Sequence, residues 1–323
     1  MTTEPLFDTH AHVLSADLGR YPYGTLRGGA RPPVSPVVFT VDDLVRAMDE
    51  GGVAHACLVQ RATLYGYDNR YALDAAAQYP ARFVPIVVLD AQDPAAPGEL
   101  RALAASHRLG GLRIVAPELS EHDTAWLDGA DALGLWRAAA DLGLPVTVIL
   151  YRRNNTAGRA ALLGIARRFT GLPILIDHVG VPHASTPECK WAASQGWDYR
   201  IPPPPGFGIA ESLAAFDDLP HVHFKLTDIN FDRLEDAQYD AAAFVRALAD
   251  RFGADRLLWG SDVGQSPAPY AEKIARLRHA ATLLTPDERA QLFGGTALRL
   301  YGARLDFAAV AGGADMAERS DGR

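Results

Sequence analysis

Near the N-terminus, the segment Leu6-Phe7-Asp8-Thr9-His10-Ala11-His12 places two histidines one residue apart at the end of a short apolar run. Side chains of a β-strand alternate between its faces, so Asp8, His10 and His12 are expected on one face and Phe7, Thr9 and Ala11 on the other. Two imidazoles about 6–7 Å apart at Cα, on one side of a strand end, can grip one divalent metal. They can equally hold a substrate oxyanion. The spacing also fits two unrelated surface histidines, so the pair needs partners elsewhere in the chain.

Polar residues at the ends of other apolar runs supply the candidates. They are Gln60 and Arg61, followed by Tyr65, Tyr67 and Asn69; Arg113; Tyr151-Arg152-Arg153; Asp177-His178; Lys225 and Asp228; and Ser261-Asp262. His178 and Asp262 each terminate an apolar strand and run straight into a loop, which favours a chemical role. Blander readings exist for others: Arg113 as a structural ion-pair residue, Lys225 as a solvated strand end, Asp177 as the N-cap of the next turn. Guanidinium groups at Arg61, Arg113, Arg152 and Arg153 suit bidentate contacts with carboxylates, which points to an anionic small-molecule substrate. Arg152 and Arg153 are neighbours on a strand and cannot both point inward.

The elements that would carry these residues alternate along the chain. Strands are predicted at 5–11, 54–60, 82–89, 110–115, 145–150, 173–178, 221–227 and 256–261. Helices are predicted near 41–51, 69–79, 98–107, 130–142, 156–169, 208–216, 237–252 and 268–284, with a last one opened by Thr285-Pro286-Asp287-Glu288 as cap, first turn and capping box. Runs such as Val146-Thr147-Val148-Ile149-Leu150 are apolar on both faces, as in parallel sheets covered by helices. Eight such units predict an α/β fold, a single-domain (β/α)8 TIM barrel over residues 1–302, whose strand C-termini would face the chemistry. No GxGxxG turn follows the first strand, which argues against a dinucleotide fold. The long connections 13–40 and 179–207 follow strands and would overhang the same end. The small-residue and charged segment 303–323 is expected to be a flexible tail.

The chain of 323 residues is 48% hydrophobic and 22% charged with a net charge of −8, an ordinary globular composition. No Lys/Arg run marks a nucleic-acid partner, and no apolar stretch is long enough for a membrane span. Two cysteines, Cys57 in an apolar run and Cys189 in a polar one, do not make a disulfide framework. With no leader pattern before the first strand, a cytoplasmic location is expected; a homo-oligomer is allowed.

Asp8-Thr9-His10-Ala11-His12, Ile176-Asp177-His178-Val179-Gly180, Trp259-Gly260-Ser261-Asp262 and Phe293-Gly294-Gly295-Thr296-Ala297 together resemble the amidohydrolase superfamily. They are most similar to its amidohydrolase-related (amidohydrolase 2) branch, which includes sugar lactonases and 2-pyrone-4,6-dicarboxylate lactonase. Leu58-Val59-Gln60 with Asp68-Asn69-Arg70, and Lys225-Leu226-Thr227, resemble the same branch. The resemblance implies that His10, His12 and His178 are metal ligands or electrophilic groups, that Asp262 is the general base and, if a metal is held, its fourth ligand. It places substrate contacts at Arg113 and Tyr151, and Arg61, Asn69 and Lys225 join them as candidate substrate-binding residues. Binuclear members carry a bridging lysine or glutamate on strand four and a histidine on strand five. Here those strands offer Arg113 and Tyr151, so one divalent metal, with zinc the expected ion, or none is implied. The implied reaction is hydrolysis of a lactone or related cyclic ester of a carboxylated or sugar-acid-like molecule. Metal-dependent decarboxylation of a small carboxylic acid is the alternative, and a barrel that only binds ligand is a third.

Overall fold

The computed structural model describes residues 5–27, 37–116, 123–150, 155–180 and 201–306. Eight parallel strands follow one another around a single sheet in chain order: β1 (Leu6–Ala11), β2 (Val53–Val59), β3 (Phe83–Val88), β4 (Gly111–Val115), β5 (Val146–Ile149), β6 (Ile174–Ile176), β7 (Val222–Thr227) and β8 (Leu257–Gly260). Helices lie between them, so the architecture is the expected (β/α)8 barrel. The strands are buried on both faces because the helical layer covers the outside and side chains fill the inside.

The interior is layered. Phe7, Cys57, Val59, Val84, Ile86, Leu175 and Leu258 form the lower layer, and Tyr301 and Leu305 close the N-terminal end beneath them. The polar residues of the strands stand above this apolar floor. One edge of the upper layer is again apolar, with Val88, Val115 and Ile149 packed together at the ends of β3, β4 and β5 against Ala62, Leu26 and Tyr67.

Strict alternation fails in β1. Asp8 pairs with Ala56 and Ala11 with Leu58, so three steps along β1 oppose two along β2. This bulge shifts the phase of the strand. Phe7 therefore points into the barrel with Cys57 and Leu175, Asp8 points outward to the Tyr270 hydroxyl at 3.0 Å, and His10 points inward again. The expected shared face of Asp8, His10 and His12 is thus corrected: the two histidines share it, and Asp8 does not.

The barrel closes between β8 and β1 through the residues that carry the histidines. The Asp262 backbone N–H donates to the His10 carbonyl at 2.7 Å, and the His12 N–H donates to the Val263 carbonyl at 3.0 Å. Asp8 completes the seam. Its carboxylate accepts the His10 and Ser261 backbone N–H groups at 2.9 Å each and the Ser261 hydroxyl at 2.5 Å.

Most helices fall where the apolar periodicity puts them, and the capping box on Thr285 and Glu288 forms. One helix differs. Asp228–Asp236 begins directly after β7, ahead of the helix Ala241–Phe252, where a single helix at 237–252 is predicted. Its buried face includes Asp228, Asn230 and Arg233, so the hydrophobic pattern that reveals other helices is diluted. The predicted 208–216 helix is Ile209–Leu213 followed by a 3₁₀ turn, Ala214–Phe216. Most of the 179–207 connection, part of 13–40, and the tail beyond Asp306 lie outside the described residues. No described helix is long and apolar enough to cross a membrane.

Candidate active site

His10, His12, Asp177, His178 and Asp262 converge at the C-terminal mouth of the barrel, each almost completely buried. His10 Nε2 and His12 Nε2 lie 3.5 and 3.4 Å from Asp262 Oδ1. The two rings are edge-on, with centroids 4.9 Å apart. On its other side His10 Nδ1 is 3.3 Å from Asp177 Oδ1, and the His178 ring stands 5.2 Å from the His10 ring.

The turns that deliver these side chains are strained. His178 (φ 52°, ψ 33°) and Val179 (φ 55°, ψ 25°) are left-handed and are followed by Gly180 at φ 65°. A left-handed residue other than glycine costs roughly 1–2 kcal/mol, more so when β-branched, so the surroundings must hold this turn. Asn230 does so by donating its Nδ2 to the His178 carbonyl at 2.9 Å, while Thr227 Oγ1 lies 2.6 Å from His178 Nδ1. Asn230 Oδ1 in turn accepts the Thr227 backbone N–H at 3.0 Å, the start of the helix missed in the sequence. Asp262 is also left-handed, at φ 54°. Its carbonyl accepts the Ser266 N–H and hydroxyl at 3.0 and 3.1 Å. Buried Lys273 bonds both Ser266 Oγ and Asp228 Oδ2, the latter at 2.7 Å, which ties the ends of β7 and β8 together.

Charge is arranged in two tiers. Below, Arg113 Nε donates to Asp177 Oδ2 at 2.8 Å, and Lys225 Nζ is 3.5 Å from Asp177 Oδ1 and 3.0 Å from the Thr9 carbonyl. Burial works to raise the Asp177 carboxyl, but Lys225, Arg113 and His10 outweigh it and hold it well below the usual carboxylate range. Above, burial likewise opposes ionisation of Asp262, and positive charge or an N–H at the facing imidazoles of His12, His10 and His178, the place a bound cation would take, overrides it. Both carboxylates are ionised at neutral pH. Burial pushes His10 down to about 4 against the pull of Asp177.

The donor set fits one cation. His12 Nδ1 lies 2.7 Å from the Val59 carbonyl, an oxygen that only accepts, so His12 carries its proton there and turns a bare Nε2 to Asp262. Nε2 of His12, Nε2 of His10 and both Asp262 oxygens are buried without a hydrogen-bond partner among the described residues. The bare His12 nitrogen and the Asp262 carboxylate converge with no donor fixed between them, which calls for a positive ion. The ligand atoms of His10, His12 and Asp262 lie within 4.8 Å of one another, with the 3.4–3.5 Å separations above. A tetrahedral ion with bonds of about 2.0–2.1 Å needs donor separations of about 3.3–3.4 Å. The other possible group, His10, Asp177 and His178, shares its carboxylate with Lys225 and Arg113, whose charges disfavour a second ion there.

The remaining candidate residues separate by position. Arg113 and Lys225, read from sequence as substrate contacts, are engaged with Asp177 beneath His10; Lys225 is fully buried rather than a solvated strand end. Asn69 spends its amide on the backbone, bonding the Val88 carbonyl and N–H at 2.9 and 2.7 Å and the Tyr67 carbonyl at 3.1 Å. Arg61 stands at the mouth beside Asp262, with one nitrogen on the Gly264 carbonyl. Tyr151, with Arg152 and Arg153, lies outside the described residues. Asp177, dismissible from sequence as an N-cap, proves to be the charge centre of the lower tier. Its place after an apolar strand, next to His178, was the available signal.

The amidohydrolase family model matches residues 7–303, and the chain belongs to that family. It is 30% identical to the L-fucono-1,5-lactonase of Burkholderia ambifaria over 93% of this chain and 95% of that protein. It is 29% identical to the 4-sulfomuconolactone hydrolase of Hydrogenophaga intermedia over 79% and 73% respectively. Among solved structures, an amidohydrolase from Burkholderia multivorans with bound zinc shares the fold at a TM-score of 0.64 and 22% identity, covering 94% of this chain and all of that one.

Proposed function

We propose that this hydrolase opens a lactone of a sugar acid or other carboxylated small molecule. The observation that carries the reading is Asp262 facing Nε2 of both His10 and His12 at the mouth of the barrel. The two lactone-hydrolysing relatives, matched over most of the chain, support it.

Hydrolysis requires an activated water and stabilisation of the carbonyl oxygen as it becomes an oxyanion. Asp262 takes the proton of the attacking water and returns it to the ring oxygen as the C–O bond breaks, so hydroxy acid forms with no net proton change at the enzyme. A divalent ion held by His10, His12 and Asp262, zinc being the ion this donor set suits, would supply a Lewis acid and lower the pKa of bound water. His178, fixed by Thr227 and Asn230, faces the same space as an electrophilic partner for the carbonyl or a further ligand. The apolar edge of Val88, Val115 and Ile149 offers the ring carbons a dry wall opposite the polar cluster. Arg61 is the described cation placed to meet a substrate carboxylate or hydroxyl. Tyr151 is retained as a proposed contact, and Asn69 shapes the wall through Val88.

A panel of sugar-acid and dicarboxylic-acid lactones, run beside aromatic carboxylic acids with and without a chelator, tests this. Ring opening that stops on chelation and returns with Zn²⁺ is expected, with no more than one ion bound per chain. Release of CO₂ from the acids with every lactone left intact would replace hydrolysis by decarboxylation. Two tightly bound ions would overturn the mononuclear site.

A further inference from the structure

We infer that Asp177 is a positioning residue that fixes the tautomer of His10, holding its proton on Nδ1 so that the Nε2 lone pair faces Asp262 and the cavity. The inference rests on the hydrolase reading only for its rate effect. His10 lies between two carboxylates, with Nδ1 3.3 Å from Asp177 Oδ1 and Nε2 3.5 Å from Asp262 Oδ1, both close contacts rather than closed hydrogen bonds. A neutral imidazole has a single N–H to give. Asp177 is the better anchored acceptor. Arg113 grips its Oδ2 at 2.8 Å, and Lys225 stands 3.5 Å from the very oxygen that faces His10 while bonding the Thr9 carbonyl one residue before it. Asp177 and the His10 ring are thereby held in one rigid array spanning β1, β4, β6 and β7. Asp262 already faces the bare Nε2 of His12. With the His10 proton on Nδ1, both histidines present lone pairs to the same point. With it on Nε2, His10 would present a donor where a cation or a transferred proton has to sit. Carboxylate partners that orient a ligating imidazole in this way change metal affinity by about 10–100-fold when removed.

Asp177→Asn tests the assignment because an amide cannot serve both neighbours. Arg113 Nε, the closer and more directional donor, claims the amide oxygen, and the NH₂ then turns to His10 Nδ1 and drives the proton to Nε2. Nitrogen-15 NMR of the histidine rings should find His10 protonated at Nδ1 in the wild-type protein after chelation and at Nε2 in Asp177→Asn. Zn²⁺ titration of the chelated proteins should show affinity reduced about 10–100-fold by the substitution. The kcat on a hydrolysed lactone should fall at least about 100-fold with KM nearly unchanged, as for other wrong-tautomer variants. The ring and Zn²⁺ readouts need no lactone turnover, so they stand even if the hydrolase reading fails. The substitution also strips the counter-charge from Lys225 and Arg113; should the variant not fold, the wild-type spectrum decides alone. His10 protonated at Nε2 in the wild-type protein, or Asp177→Asn keeping both the Nδ1 proton and wild-type Zn²⁺ affinity, would overturn the assignment.

Discussion

Asp262 gathers the chemistry of this site because three separate constraints meet on it. Its backbone is left-handed, its N–H closes the β8–β1 seam on the His10 carbonyl, and its carboxylate faces Nε2 of both His10 and His12. Asparagine at this position is nearly isosteric and tolerates left-handed backbone, so the fold should survive the change. Removing the proton acceptor should cost about 10²–10⁴-fold in kcat. Steady-state rates on an identified lactone, with circular dichroism to verify folding, check this; a folded Asp262→Asn enzyme with near-wild-type kcat would disprove the general-base role. Arg113 and Lys225 teach the complementary lesson. Both are cations within barrel strands, and both serve Asp177 rather than open space.

At the scale of elements, the site depends on how closely β8 approaches β1. Gly260 lies against His10 so tightly that an added Cβ would collide with the His10 Cβ and crowd its backbone. Gly260→Ala should therefore push β1 and β8 apart just where the His10–Asp262 geometry is set. We expect about 1–3 kcal/mol of destabilisation, as for other overpacked sites, together with more than a ten-fold loss of kcat/KM. Urea unfolding and rate measurements on the same preparation separate the two effects. Undiminished turnover would mean that the site tolerates a wider seam. Much of this scale was legible in the sequence: eight apolar runs, their order and the polar residues in or after most of them. The bulge in β1 was not legible, because a bulge is a register relation between strands and leaves no mark in one strand's pattern. The helix Asp228–Asp236 was hidden for a related reason. It buries Asp228 and Asn230 to hold neighbouring turns, so its inner face does not read as apolar.

Across the whole molecule, burial of neutral histidines contributes to the response to acid. His223, on β7 one layer below Lys225, is lowered by burial to about 4 from 6.5. Between those values the unfolded chain binds a proton that the folded chain refuses, so stability falls as pH drops from about 6.5 towards 4. The shift corresponds to on the order of 3 kcal/mol. In the metal-free protein His10 adds a loss of the same sign, whereas Asp8 and Asp228, raised by burial, act in the opposite direction. His223→Gln should leave a smaller gap between stabilities at pH 7 and pH 4.5, read from urea midpoints. An unchanged gap would show that His223 is not the group responsible.

The sequence by itself determined the barrel, the strand ends at its mouth and the membership of His10, His12, His178 and Asp262 in that group, because period-two apolar runs and the residues that stop them are local properties. Only the tertiary structure decided what each polar group faces. Arg113 meets Asp177 across 64 residues of chain and Lys225 reaches the Thr9 carbonyl across 216, contacts that no local spacing encodes. The two histidines of the opening motif share a face that the bulge denies to Asp8, and they face Asp262 because closure of the barrel brings the first and last strands together.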